Sequence, residues 1–140
     1  MKDVLSKKYP DLALLILRLA AGGIFAYEGA LKLFVWERSS LVGYFAGLGF
    51  PIPEVTATAI TYFEFFGGIL IVLGLFIRPL SFFAAGQMVV AAIVANAPAG
   101  VTAALEVDIL LFAMFFAIFL VGAGKLSLMR FLNKLTNLWQ

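Results

Sequence analysis

The chain has 140 residues, of which 64% are hydrophobic and 13% are charged, with a formal net charge of +2. A soluble domain is about half apolar and about a quarter charged, so this composition excludes a water-soluble globule and predicts an integral membrane protein. The sequence contains neither cysteine nor histidine, which excludes thiolate chemistry, iron–sulfur clusters and histidine-ligated haem within this chain.

Four apolar segments each approach the roughly 20 residues that cross a bilayer as a helix. The predicted spans are residues 12–35, 53–77, 80–95 and 103–121. Asp11 is expected to cap the first span and Thr102 the fourth, and the turn NAPAG is expected to end the third. No repeat or linker interrupts the spans, so residues 1–140 are predicted to form one all-α membrane domain, a four-helix bundle.

Two further segments are predicted to lie along the membrane surface. Between the first two spans, Ser39 or Ser40 is expected to begin a short outer helix that ends at Gly49 and Pro51. The C-terminal tail is predicted to form an amphipathic helix, with Trp139 at the headgroup boundary. Its apolar face consists of Leu128, Phe131, Leu132, Leu135 and Leu138.

The basic residues of the short loops predict the orientation of the chain. One side of the membrane receives Lys2, Lys7, Lys8, Arg78, Lys125, Arg130 and Lys134. The other side has Arg38, with Lys32 near a helix end. Because cytoplasmic loops carry an excess of Lys and Arg, both termini are predicted to be cytoplasmic, in the inner membrane of the cell. The expected surroundings are a lipid bilayer, with no nucleic acid and no metal site.

Six ionisable residues lie within the predicted spans: Arg18, Glu28, Lys32, Glu64, Glu106 and Asp108. An ionisable residue at bilayer depth is costly and is a functional candidate by default. By helical rise, Glu64 lies near the membrane centre, and the other acidic residues lie in the outer half. Arg18 and Lys32 share a stripe of the first span, and Glu64 shares a small, polar face with Gly68. These faces predict an inward polar seam.

Purely structural interpretations stand beside the functional ones. Arg18 with Glu64, and Lys32 with Glu28, are candidate ion pairs that only fix helix register. Gly67 and Gly68 are interpreted first as packing positions. Asn96 is out of phase with Gln87 on an α-helix, which predicts that the third helix ends before Asn96.

Several segments resemble the DoxX family of small four-helix membrane proteins: LRLAAGGIFAYEGALKLF, GLGFPIPE, EFFGGILIVLGLFIRPL and GAGKLSL. The matching positions are Arg18, Gly29, Lys32, Glu64, Gly67, Gly68 and Glu106, and they do not include Glu28 or Asp108. Glu106 and Asp108 are about 200° apart on an α-helix, so only one faces the bundle. The resemblance favours Glu106 as the inward residue, leaving Asp108 to a partner or the headgroup layer.

The resemblance implies a role in quinone-linked oxidoreductases or redox-stress complexes. Our leading hypothesis is a membrane subunit that binds a quinone beside a redox partner subunit, which supplies the electrons. Glu64 is the candidate proton carrier. The candidate cofactor-binding residues are Arg18, Lys32, Glu64, Glu106, Gly67 and Gly68. The alternatives are a non-catalytic assembly or anchor subunit, and a homo-oligomeric proton-coupled transporter in which Glu64 or Glu28 exchanges a proton for a cation.

Overall fold

The computed structural model describes residues 9–137, which form six α-helices, two π-helical turns and one 3₁₀ turn. Helix α1 covers Pro10–Ala30 and continues into a π-helical turn, Leu31–Val35. A short helix, α2 (Arg38–Gly47), leads to α3 (Pro53–Leu73). Helix α4 (Ile77–Val90) continues through a second π-helical turn, Ala91–Asn96, into a 3₁₀ turn, Ala97–Ala99. Helix α5 (Ala103–Val121) and helix α6 (Leu128–Asn137) follow.

Four of these helical stretches are long and apolar enough to cross a bilayer: Pro10–Val35, Pro53–Leu73, Ile77–Ala99 and Ala103–Val121. They confirm the predicted four-span fold, and the fourth span agrees with the prediction at both ends. The second span is shorter than the predicted 53–77, because Gly74 adopts a left-handed conformation with φ of +80° and ends α3. The third span is longer than the predicted 80–95, and it includes Asn96 within its π-helical turn.

The two predicted surface helices are both present. Helix α2 begins at Arg38, slightly before the predicted serine cap, and it buries Leu41 and Phe45 against Ala57 of α3. Helix α6 exposes Phe131, Leu132 and Leu135, as expected of an amphipathic helix. Lys2, Lys7, Lys8, Leu138 and Trp139 lie outside the described residues, and the cytoplasmic orientation of the termini remains a prediction.

The spans run up and down, and they form two closely packed pairs. Helix α1 packs most extensively on α3, and α4 packs on α5. The core between the pairs includes Phe25, Ile71 and Phe115, each at most 1% exposed. We call the end that carries α2 and the turn 97–102 the α2 end, and the end that carries the turn 74–76 and the segment 122–127 the α6 end.

Glycines allow α1 and α3 to approach until their backbones touch. A Cβ atom added to Gly68 would collide with the backbone nitrogen of Ala26 and would lie 2.7 Å from the carbonyl oxygen of Gly22. A Cβ atom on Gly29 would collide with the backbone of Phe65. The neighbouring Gly67 is different, because its Cβ would meet only side chains, the nearest at 3.5 Å. Close packing over small residues is a main source of helix association in membranes.

We predict that Gly68→Ala destabilises the bundle by about 1–3 kcal/mol, because the added methyl group forces α1 away from α3. The matched control is Gly67→Ala, one residue along the same helix, where the methyl group has room. It should be neutral or stabilising by up to about 1 kcal/mol, since glycine is the poorer helix former. The measurement is the free energy of unfolding in mixed micelles. Equal stabilities of the two variants would contradict the proposed backbone contact.

Candidate functional site

A cavity of about 470 Å³ lies at the α2 end, between the α1–α3 pair and the α4–α5 pair. Its volume is within the range of ligand-binding sites. Helix α2 closes one side with Leu41, Tyr44 and Phe45. Most of the remaining wall is apolar or aromatic. The polar residues that line the cavity are Glu28, Lys32, Glu64, Gln87, Asn96 and Asp108.

The first polar cluster centres on Glu64, which is 4% exposed. Its Oε2 atom accepts a hydrogen bond from Lys32 Nζ at 2.6 Å, and its Oε1 atom accepts one from Gln87 Nε2 at 2.6 Å. The three side chains come from the α1 span, α3 and α4, so the cluster ties three spans together. Gly29 brings the chains close enough for this contact, because α1 approaches the backbone of Glu64 and Phe65 at that position.

Lys32 forms ion pairs with both Glu28, as predicted, and Glu64, and the pair with Glu64 is the shorter and more buried one. Lys32 Nζ lies 2.6 Å from Glu64 Oε2 and 3.6 Å from Glu28 Oε2. The Glu28 side chain is 51% exposed, whereas that of Glu64 is 6% exposed. A buried charge is tolerated only when it is paired and hydrogen-bonded. Glu64 and Lys32 therefore depend on each other, and Glu28 is peripheral.

A second polar pair lies on the α4–α5 side of the cavity. Asn96 Nδ2 donates to Asp108 Oδ2 at 2.6 Å, and Asp108 is 9% exposed. Glu106 is exposed and does not line the cavity. The prediction that Glu106 faces inward was wrong. Asp108 instead shares its helix face with Leu111, Phe115 and Ile118, the other buried residues of α5.

The two π-helical turns bring polar side chains into the cavity. Nine residues separate Gln87 from Asn96, and an α-helix would place them on opposite faces. The wider i→i+5 turn at Ala91–Asn96 changes this phase, so that both side chains line the same cavity. The prediction that the third helix ends before Asn96 was wrong for this reason. Lys32 likewise lies in a π-helical turn, Leu31–Val35.

Arg18 lies at the α6 end, away from the cavity. It is 1% exposed, and its guanidinium donates to the carbonyl oxygen of Ala123 at 2.9 Å and to that of Leu126. Arg18 and Lys32 share a stripe of α1, but 14 residues separate them by about 20 Å along the axis. The structure therefore contradicts the predicted Arg18–Glu64 pair, and Arg18 does not line the cavity. Arg18 instead holds the segment 122–127 against α1.

Gly67 and Gly68 also lie outside the cavity lining. Gly68 is at the α1–α3 contact, and the nearest side chains to Gly67 are those of Phe63 and Leu80. The prediction that these glycines contact a cofactor is not supported by their positions. Of the six ionisable residues in the predicted spans, four line the cavity: Glu28, Lys32, Glu64 and Asp108.

Comparison with known families agrees with this architecture. Residues 13–97 match the model of the DoxX family, which is more than half of the chain. The chain belongs to the DoxX family. The matched region of this DoxX-family protein includes Lys32, Glu64, Gln87 and Asn96, and it ends before α5. No curated protein and no solved structure matches the chain.

We predict that Lys32→Met destabilises this DoxX-family protein by about 3–5 kcal/mol, because it leaves the buried Glu64 carboxylate without its cation. The double variant Lys32→Met/Glu64→Gln should recover most of this loss, since no uncompensated charge remains. Glu28→Gln is the control, and as a change to an exposed pair it should cost at most about 1 kcal/mol. Unfolding free energies of these proteins and of Glu64→Gln, the second single variant of the double-mutant cycle, test the coupling. Additive effects of the two buried substitutions would contradict it.

We predict that Arg18→Lys loosens the segment 122–127, because a lysine cannot reproduce the two-carbonyl contact of the guanidinium. Loss of a hydrogen bond to a charged group costs about 1.5–3 kcal/mol, which corresponds to amide exchange about 10- to 100-fold faster in this segment. Hydrogen exchange with mass spectrometry provides the measurement. The exposed Arg130 serves as the control, and Arg130→Lys should leave exchange unchanged. Unaltered protection in Arg18→Lys would show that Arg18 does not hold the segment.

Proposed function

We propose that this DoxX-family protein is a membrane subunit that binds a quinone head group in the cavity at the α2 end and presents it to a redox partner subunit. The observation that carries the proposal is a buried Lys32–Glu64 ion pair at the wall of an apolar, aromatic cavity of about 470 Å³. An apolar chamber with a few convergent polar groups is the usual form of a small-molecule site. The association of the family with membrane oxidoreductase systems supports this choice of ligand.

The polar cluster has hydrogen-bond donors left for a ligand. A lysine ammonium carries three N–H groups and a glutamine amide carries two. Lys32 and Gln87 each use one of them on Glu64. A quinone carbonyl oxygen accepts hydrogen bonds only, so it matches the remaining donors. Phe25, Trp36 and Tyr44 line the same cavity, and they provide aromatic surface against which a flat ring packs.

Glu64 is our candidate proton carrier. Reduction of a quinone adds two electrons and two protons to its two oxygens. The electrons come from a redox centre of the partner subunit, because this chain has no cysteine or histidine to hold one. Lys32 gives one proton to a reduced quinone oxygen and becomes a neutral amine. The Glu64 carboxylate, one hydrogen bond away, then takes up a proton from the outer aqueous phase and passes it to that amine, and a second such cycle supplies the second proton. With both termini in the cytoplasm, the cavity lies in the outer half of the inner membrane.

An assembly or anchor subunit is the second candidate, and one observation favours it. Both oxygens of Glu64 are bonded to side chains of neighbouring spans. That arrangement is also what a cluster needs if it serves only to fix three helices in register. The two functions differ in whether a ligand occupies the cavity.

Native mass spectrometry of protein released gently from its own membranes tests the proposal. We expect a mass equal to the chain plus a quinone, alone or with a redox partner. In Lys32→Met/Glu64→Gln, which removes both charges together, quinone occupancy should fall at least about tenfold. Glu106→Gln changes an exposed carboxylate outside the cavity, and it should retain full occupancy.

Two results would favour the assembly function. One is a wild-type protein that carries only lipid. The other is a double variant that retains quinone at the wild-type level, which would show that the charged cluster does not contact the ligand.

A further inference from the structure

Asp108 has a hydrogen-bonding capacity that the protein leaves unused. Its Oδ2 atom accepts from Asn96, but its Oδ1 atom has no hydrogen-bond partner among residues 9–137. The residue is 9% exposed and lines the cavity. Asp108 Oδ1 is not a fully buried atom, so it is open to the cavity and accessible to a donor that a ligand carries.

The cavity therefore has two polar poles, each built from more than one helix. The first pole consists of Lys32, Glu64 and Gln87, and the second consists of Asn96 and Asp108. Gln87 and Asn96 lie on the same helical stretch, nine residues apart, and the π-helical turn Ala91–Asn96 brings both side chains to the cavity. A ligand that bonds to both poles needs a polar atom at each of two opposite ends. The ring of a para-quinone has this arrangement.

The two poles offer a ligand groups of opposite charge: the ammonium of Lys32 at the first pole and the carboxylate of Asp108 at the second. Three carboxylates line the cavity, and Lys32 is the one ammonium among the described lining residues. Lys32 has N–H groups for a ligand, whereas Asp108 offers a charged acceptor. An oxidised ring oxygen has no hydrogen to donate, and it is repelled by a carboxylate. A hydroxyl group of the reduced ring donates a charge-assisted hydrogen bond to the Asp108 carboxylate. This bond is about twice as strong as the neutral hydrogen bond that the second N–H of Asn96 donates to an oxygen of the oxidised ring.

We infer that the Asn96–Asp108 pair binds the second oxygen of the head group and makes the cavity selective for the reduced, hydroquinone form. This inference rests on the proposed quinone function and assigns a ligand-positioning role to Asp108. The first pole serves either redox form, because a hydroxyl oxygen also accepts a hydrogen bond from Lys32. The second pole distinguishes the forms.

The test compares the binding of one short-tailed para-benzoquinone with that of its hydroquinone, under anaerobic conditions, to purified protein in lipid nanodiscs freed of native quinone. Titration calorimetry measures both affinities. We expect the hydroquinone to bind at least about tenfold more tightly. For a two-electron couple, a tenfold difference raises the reduction potential of the bound pair by about 30 mV.

Asp108→Asn provides the decisive variant, because an asparagine still accepts a hydrogen bond from Asn96 but presents no charge. It should bind the two redox forms with equal affinity. Glu106→Gln, two residues away on the exposed face of the same helix, should keep the wild-type preference.

The possible failures are distinguishable. Equal binding of the two forms by the wild-type protein, which needs no variant to observe, would overturn the selectivity while the quinone function stands. A preference that persists in Asp108→Asn would overturn the role of Asp108. Binding of neither form would overturn the quinone function itself, and the selectivity with it.

Discussion

The hydrogen-bonded cluster of Lys32, Glu64 and Gln87 is the interaction on which the arrangement of the spans depends. In a bilayer the lipid is as apolar as the side chains, so hydrophobic burial does not drive helices together. A buried carboxylate and ammonium must instead find each other, and they do so at 2.6 Å. Because their partners lie on three spans, satisfying these groups also sets the relative depth of the helices. The glycine contacts between α1 and α3 are required by the same geometry, since Gly29 approaches the backbone at Glu64 and Phe65.

The cavity follows from the way in which the helices depart from α-helical geometry. Both stretches that deliver polar residues from α1 and α4 widen into π-helical turns at the α2 end. Such turns are rare and frequently occur at functional sites. A π turn shifts the phase of the residues after it, so Asn96 reaches the face of Gln87. Helix α2 then covers the opening with Leu41 and Phe45, which are buried against α3.

The sequence predicts the fold well, because hydropathy and helix-ending residues act locally. The four spans follow from segment length, and Thr102 does cap α5, where its side chain accepts from the amide of Leu105. The inward faces of Lys32 and Glu64 were also predictable, since charged residues in a bilayer must face inward, but the predicted partner of Glu64 was Arg18 instead of Lys32. Which side chains of α5 face the core was not predictable from the sequence. Helix α5 is apolar on nearly every face, because its outer surface contacts lipid and its inner surface contacts the core. No amphipathic pattern therefore distinguishes Glu106 from Asp108. The π turn that includes Asn96 has no local sequence signal that we recognise.

Arg18 and the Lys32–Glu64 cluster lie at opposite ends of the bundle and are satisfied by different partners. Arg18 bonds to carbonyl oxygens of the segment after α5, where the helix dipole contributes partial negative charge. Its two terminal nitrogens are therefore bonded to backbone oxygens rather than to a carboxylate of the seam, while Nε has no hydrogen-bond partner among residues 9–137. Lys32 in turn is closest to Glu64, at 2.6 Å, and lies farther from Glu28, at 3.6 Å. If Arg18 had paired with Glu64, the acidic residue would have been drawn toward the α6 end, and Lys32 would have lacked its buried partner. With Arg18 bonded to backbone oxygens at one end, Glu28, Glu64 and Asp108 line an apolar cavity at the other, and Lys32 is the one ammonium among its described lining residues.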